Sequence, residues 1–299
     1  MKENLALAMN RFLEYLQIEK NYSSYTVEFY KKDIEHFSLF MQEQSIATFN
    51  DVKYFDARLY VSSLYERHYA RTSAARKISS LRSFFKFLLR EKIVDENPFI
   101  LVIQPKKGVR LPSFLYEEEM EQLFSSCDDR TPLGKRNLAL MELLYATGIR
   151  VSECANIQLD DVDFDLSTIL VKGKGKRERY VPFGIFASQA LESYINGARS
   201  LLFDRSDHRN LFVNARGGPL TARGIRHVLN EVMKKASLSG KIHPHMFRHS
   251  FATHMLNNGA DMRTVQELLG HTHLSSTQVY THVTKEHLRK TYINSHPRA

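Results

Sequence analysis

Thr168-Ile169-Leu170-Val171-Lys172-Gly173-Lys174-Gly175-Lys176-Arg177-Glu178-Arg179-Tyr180-Val181-Pro182 is where this 299-residue chain stops reading as helices. Two short β-like runs, Thr168–Val171 and Arg179–Pro182, flank Gly173-Lys174-Gly175-Lys176, the pattern of an antiparallel hairpin turning through glycines. Helical periodicity lies on both sides of it. Helices are predicted at about 116–126 and 134–146 before the hairpin. After it they are predicted at about 186–200, 222–236, 244–257, 261–269 and 285–292. This half of the chain is therefore expected to be mainly helical with one small antiparallel sheet, an α+β arrangement.

The first hundred residues contain no such interruption and read as four helices. Leu5, Met9, Phe12, Leu13 and Leu16 recur at helical spacing, as do Val27, Tyr30, Ile34, Phe37 and Met41, with Ser24 expected as the N-cap of the second run. A third helix is expected from Asp51, itself a cap, to about Arg67. The fourth, from about Thr72 to Glu91, has Ala74, Ile78, Leu81, Phe85 and Leu88 as its buried stripe. Its other face carries Arg76, Ser79, Arg82, Ser83, Lys86 and Arg90. Short hydroxyls among long cations suit a phosphate backbone, although a solvated helix face would carry the same residues. Asn97-Pro98 closes the module, and Pro105-Lys106-Lys107-Gly108-Val109-Arg110-Leu111-Pro112 reads as a basic linker. The expected division is an all-helical domain over 1–104, a linker over 105–112 and a second domain over 113–299.

The net charge of +9 points to a polyanionic partner. The excess is spread along the chain, since residues 1–110 hold 18 basic and 13 acidic side chains. A protein gripping a nucleic acid with both halves fits this better than one with a basic tail. No apolar run approaches the ~20 residues of a membrane helix. The opening Met1-Lys2-Glu3-Asn4 leads into an acidic helical pattern, unlike a secretory or organelle signal. Cys127 and Cys154 are too few and too far apart for a disulfide framework or a zinc ribbon. The expectation is a soluble, cytoplasmic protein.

Walker-type and serine-elbow signatures are absent, so no nucleotide cofactor is expected. His245 and His249 have the i, i+4 spacing of a zinc helix, but Met246 stands where that motif needs glutamate, and Arg248 brings a repelling charge. No metal is expected. His245 and Arg248 share one helix face behind Pro244, a natural anion site; a capped helix with a surface arginine and a hydrogen-bonded histidine would read the same way. A helix stops at Ala146-Thr147-Gly148, where glycine suits a left-handed turn, and Arg150 follows just before a new helix. An arginine on such a turn can point at a ligand or neutralise helix carbonyls. Gly270-His271 ends another helix, and the polar run that follows leads to Tyr280.

In this order, Ala146-Thr147-Gly148-Ile149-Arg150-Val151-Ser152-Glu153, the lysine of Gly173-Lys174-Gly175, His245-x-x-Arg248, Leu268-Leu269-Gly270-His271 and Tyr280 resemble the tyrosine recombinase (phage integrase) family. The likeness runs over essentially the whole chain. It is nearest the bacterial Xer recombinases, with His243-Pro244-His245 and Val265–His271 looking more like the XerC branch than the XerD branch. The resemblance implies a C-shaped DNA clamp, with a helical SAM-like core-binding domain before the catalytic domain. It implies that Tyr280 attacks a DNA phosphorus to leave a 3′-phosphotyrosyl link and a free 5′-hydroxyl. Arg150 and Arg248 would then stabilise the charged intermediate, Lys174 protonate the leaving oxygen, His245 assist proton transfer and His271 hydrogen-bond the phosphate, without metal or ATP. Lys172 and Lys176 are neighbours of Lys174 on the hairpin; Lys174 is preferred because it sits between the two glycines and matches the family's position.

The partners implied are a double-stranded DNA recombination site, a recombinase tetramer with a XerD-like second recombinase, and a DNA translocase at the division septum. The task implied is resolution of chromosome or plasmid dimers. An integrase or transposon recombinase, a type IB-like nicking-closing enzyme and a non-catalytic DNA-binding protein are the alternatives. DNA contacts are expected from Arg76, Arg82 and Lys86 and from Arg223, Arg226 and His227. Leu288, Tyr292 and Ile293 would suit docking on a neighbouring subunit, or packing within their own chain.

Overall fold

A computed structural model describes residues 2–104, 114–173, 178–203, 208–237, 245–270 and 285–299. The linker expected at 105–112 lies outside them. The chain divides into two compact units, Met1–Arg110 and Leu111–Ala299.

Four helices build the first unit: α1 (Lys2–Ile18), α2 (Ser24–Glu43), α3 (Tyr54–Glu66) and α4 (Arg71–Arg90). Their apolar stripes meet in a core dominated by aromatic rings, with Phe12, Phe37, Tyr60, Phe84, Phe85 and Phe99 fully buried. Most of the rings meet tilted or edge-on, as Phe37 and Tyr60 do at 5.0 Å between centroids, an arrangement that ring quadrupoles favour. The α2 cap is Ser23, not Ser24; its hydroxyl accepts from the Thr26 N–H. Asp51 does not cap α3. It closes a 3-10 turn over Phe49–Asp51 and accepts from the Thr48 N–H, while Asp56 takes the Lys53 N–H at the start of α3.

In the second unit, α5 (Glu117–Ser125) leads to α6 (Pro132–Thr147) and the short α7 (Val151–Cys154). Ala139 through Thr147 are all buried, so α6 is enclosed on every side and the unit is built around it. Strands β1 (Val162–Asp163), β2 (Thr168–Lys172) and β3 (Glu178–Pro182) form an antiparallel sheet in the order β1-β2-β3. The pairs run from Thr168↔Pro182 to Lys172↔Glu178, so the expected hairpin is present, with its tip at 174–177 outside the described residues. The helix expected at 186–200 is α8 (Ile185–Ser193), a π turn at Tyr194–Ala198 and α9 (Arg199–Leu202).

The unit continues with α10 (Ala222–Lys235), α11 (His245–Asn257), α12 (Met262–Leu269) and α13 (Lys285–Ser295). Phe251 and Met255 of α11, Val265, Leu268 and Leu269 of α12 and Tyr292 of α13 bury one another in a satellite cluster. Tyr292, read as suited to either a neighbouring subunit or its own chain, is buried within its own chain, and Leu288 packs against the same cluster. Ile293 is exposed. The last residues are anchored too: Arg298 forks onto Glu142 of α6, and His296 stacks on Tyr292. Among the described residues no helix is long and apolar enough to cross a membrane.

Candidate active site

The site grows from the end of α6. Gly148 adopts φ +58°, the left-handed cap that an L side chain resists, and turns the chain toward α7. Phe251 and Leu269 close over it; a Cβ at Gly148 would lie 2.6 Å from the Phe251 ring. Two residues on, Arg150 is the N-cap of α7, and its N–H donates to Glu153 Oε2 at 2.9 Å. Its guanidinium Nη1 donates to Glu153 Oε1 at 2.8 Å. Arg150 nevertheless keeps 40% of its side-chain surface exposed, so it can reach a ligand while Glu153 holds it.

Arg248 comes to the same turn from α11. It is buried, with Nη1 donating to the Gly148 carbonyl at 2.8 Å and Nη2 to the Leu269 carbonyl at 2.7 Å. Those carbonyls are orphan acceptors at the ends of α6 and α12, where helix dipoles favour a cation. A guanidinium has five N–H groups, so two bonds to main chain do not exhaust it. Burial, and then the positive charge of Arg150, bring the Arg248 pKa down to about 10, still charged at neutral pH.

His245 opens α11 one turn before Arg248, with its surface exposed. Burial of part of the ring, then the charges of His249, Arg248, Arg150 and Arg226, hold its pKa below the ordinary histidine value. A neutral imidazole among arginines can accept or relay a proton. Arg226, on the exposed side of α10, thus belongs to this electropositive region, with Arg223 exposed one turn earlier. Lys174, His271 and Tyr280 lie outside the described residues. The sequence places Lys174 just beyond β2 and His271 just after α12.

The other expected DNA contacts have different surroundings. His227 lines a cleft of about 630 Å³ with Cys127, Leu133, Glu231 and Lys235, and none of Arg150, Arg226, His245 and Arg248 lines it. In the first unit Arg76 pairs with buried Asp33, which also meets Lys77 and Ser80. Arg82 donates through Nε to the Phe99 carbonyl at 3.0 Å and through Nη2 to the Val102 carbonyl at 2.7 Å. Both cations hold their own domain together. Lys86 is exposed. The sequence reading passed over Glu153 and Arg179, whose surroundings depend on pairings made only in the fold.

Among the described residues no group of three or more His, Cys, Asp and Glu side chains could hold a metal ion. The arrangement instead offers guanidinium donors and a neutral imidazole around one turn, a set suited to the oxygens of a phosphodiester.

Comparison with known proteins gives that chemistry a lineage. Residues 113–287 match the phage integrase family and residues 9–92 the phage integrase N-terminal SAM-like domain. Tyrosine recombinase XerC of Anoxybacillus flavithermus is 58% identical over 299 residues, covering 99% of this chain and 100% of the relative. Tyrosine recombinase XerC of Bacillus subtilis is 55% identical, covering 99% and 98%. Among solved structures, a lambda integrase tetramer bound to a Holliday junction aligns with a TM-score of 0.71 at 18% identity, covering 91% of this chain and 75% of that one. The matches run over nearly the whole chain, and the chain belongs to the phage integrase family as a tyrosine recombinase of the XerC type.

Proposed function

We propose that this protein cleaves and rejoins DNA at a specific site through a 3′-phosphotyrosyl intermediate. The observation that carries the reading is the common seat of Arg150 and Arg248 at the Gly148 turn, with neutral His245 beside them. In the proposed reaction the Tyr280 oxygen attacks the phosphorus, the bond to the 5′-oxygen breaks, and the phosphate stays on the enzyme through the tyrosine. A phenol of pKa near 10 is a weak nucleophile at neutral pH, so the transition state needs help. Arg150 and Arg248 stabilise the extra negative charge on the phosphoryl oxygens, the role a metal ion plays elsewhere. Lys174 gives its proton to the departing 5′-oxygen, His245 assists proton transfer and His271 hydrogen-bonds the phosphate. The covalent link conserves the phosphodiester's free energy, so the 5′-hydroxyl of another strand can reverse the step without ATP.

DNA contacts are assigned to Lys86, Arg223 and Arg226, whose side chains are exposed, and to Arg76, Arg82 and His227. Full-length similarity to XerC recombinases supports resolution of chromosome or plasmid dimers in the cytoplasm, by a recombinase tetramer containing a XerD-like partner and driven by a septal DNA translocase. The test is covalent capture on a nicked suicide DNA in EDTA. The wild type forms a protein–DNA adduct and Tyr280→Phe forms none while still binding DNA. An adduct in the mutant, or a strict need for Mg²⁺, overturns the assignment.

A further inference from the structure

Four hydrogen bonds converge on the buried Glu153 carboxylate. Two come from Arg150, through Nη1 to Oε1 at 2.8 Å and through its main-chain N–H to Oε2 at 2.9 Å. The other two come from Arg179 of β3, through Nη1 to Oε1 at 3.3 Å and through Nη2 to Oε2 at 3.1 Å. Arg179 sits two residues before Val181, hence on the inward face of its strand, and only 18% of its side chain is exposed. A cation at an inward strand position needs a reason, and its partners supply one.

Arg179 also reaches a third segment. Its Nε donates to the Leu268 carbonyl at 3.2 Å, the acceptor adjoining the Leu269 carbonyl held by Arg248. Gly270, at φ +66°, leaves the room this requires; a Cβ there would lie 2.9 Å from the Arg179 guanidinium carbon. One side chain therefore joins the Arg150 turn, the end of α12 and the β2–β3 hairpin close to its tip.

We propose that Arg179 is a positioning residue for the cleavage step, holding Glu153 so that Arg150 and Arg248 present their guanidinium groups from one rigid frame. The proposal rests on the reading of Arg150 and Arg248 as phosphate ligands. Its electrostatic logic is a charge count. Arg150 with Glu153 alone is a neutral pair, in which the carboxylate competes with a phosphate for the guanidinium. A second guanidinium on the same carboxylate returns the trio to one net positive charge and takes up the lone pairs that would otherwise draw Arg150 inward. Lysine at 179 keeps the charge but cannot fork onto both oxygens and reach a carbonyl as well.

The full-length protein tests this by single-turnover adduct formation on nicked suicide DNA, with DNA affinity and melting temperature measured alongside. Arg179→Met and Arg179→Lys are expected to slow adduct formation by at least about tenfold while DNA affinity changes by less than about threefold. In a Glu153→Gln background, where the ionic tether is already gone, Arg179→Met is expected to cost less than about threefold more, because the two residues act through one path. An undiminished rate in Arg179→Met, equal losses in both backgrounds, or failure of both Arg179 variants to fold each overturn the proposal, the last by making the side chain purely structural. A reactive wild type beside an equally reactive Arg179→Met removes this proposal alone. A wild type that forms no adduct removes the reading beneath it, and this proposal with it.

Discussion

A methyl group at position 148 would sit 2.6 Å from the Phe251 ring and 2.8 Å from Leu269, on a backbone held at φ +58°. The left-handed backbone alone costs a non-glycine residue about 1–2 kcal/mol, and the two clashes add to it. Relief requires the turn to move, and the turn's carbonyl is one of the two that hold Arg248. Gly148→Ala is therefore expected to lower the urea midpoint and to slow adduct formation beyond what the lost stability explains. Gly148 was legible in the sequence as a helix-ending glycine, and Arg150 and Arg248 as candidate anion ligands. Glu153 and Arg179 were not, because a carboxylate in a helix and an arginine in a strand carry no local sign of meeting each other. The same reason explains Arg76. Its partner Asp33 lies 43 residues away among the buried residues of α2, where sequence periodicity leads one to expect an apolar side chain.

At the level of elements, the C-terminal segment after α13 is tied to α6 by a histidine in a single protonation state. His296 Nδ1 accepts from the Arg298 N–H at 3.1 Å, so its Nε2 is the nitrogen that donates to the Tyr145 carbonyl. Burial pushes its pKa from 6.5 down to about 3. The unfolded chain takes up this proton near pH 6.5 and the folded chain near pH 3, so stability is full above 6.5 and falls as the pH drops between those values. His254, which hydrogen-bonds Tyr145, is shifted the same way by burial. The unfolding free energy of His296→Gln is expected to fall less steeply with decreasing pH than that of the wild type, by up to ~1.4 kcal/mol per pH unit within that window. Urea titrations at several pH values measure it; parallel slopes would show that His296 does not titrate on unfolding. Long, strongly periodic elements such as α4 and the β2–β3 hairpin were readable in advance. The two-residue β1 was not, since so short a strand has no period, and neither was the π turn that interrupts the helix after Ser193.

Across the whole molecule, each unit closes its own core, the first around aromatic rings and the second around α6. The net charge of +9 is divided between them, as read from composition. DNA affinity is therefore expected to fall steeply with salt, and Arg226→Gln to flatten the plot of log K against log salt by about 0.9 if that residue meets one phosphate. An unchanged slope would remove Arg226 from the interface. Composition foretold this polyanion-binding character; the sharing of the excess between structural pairs and free cations depends on packing, as Arg82 on its two carbonyls shows beside exposed Lys86. The grip of two helix-end carbonyls on Arg248 has a further bearing on rate. A long side chain ordinarily surrenders its rotamers when a substrate arrives, at roughly 0.5–1.5 kcal/mol. Here that disorder is lost during folding instead, so in the proposed cleavage the encounter with a scissile strand would begin from an aligned donor, with little of the barrier spent on arranging it.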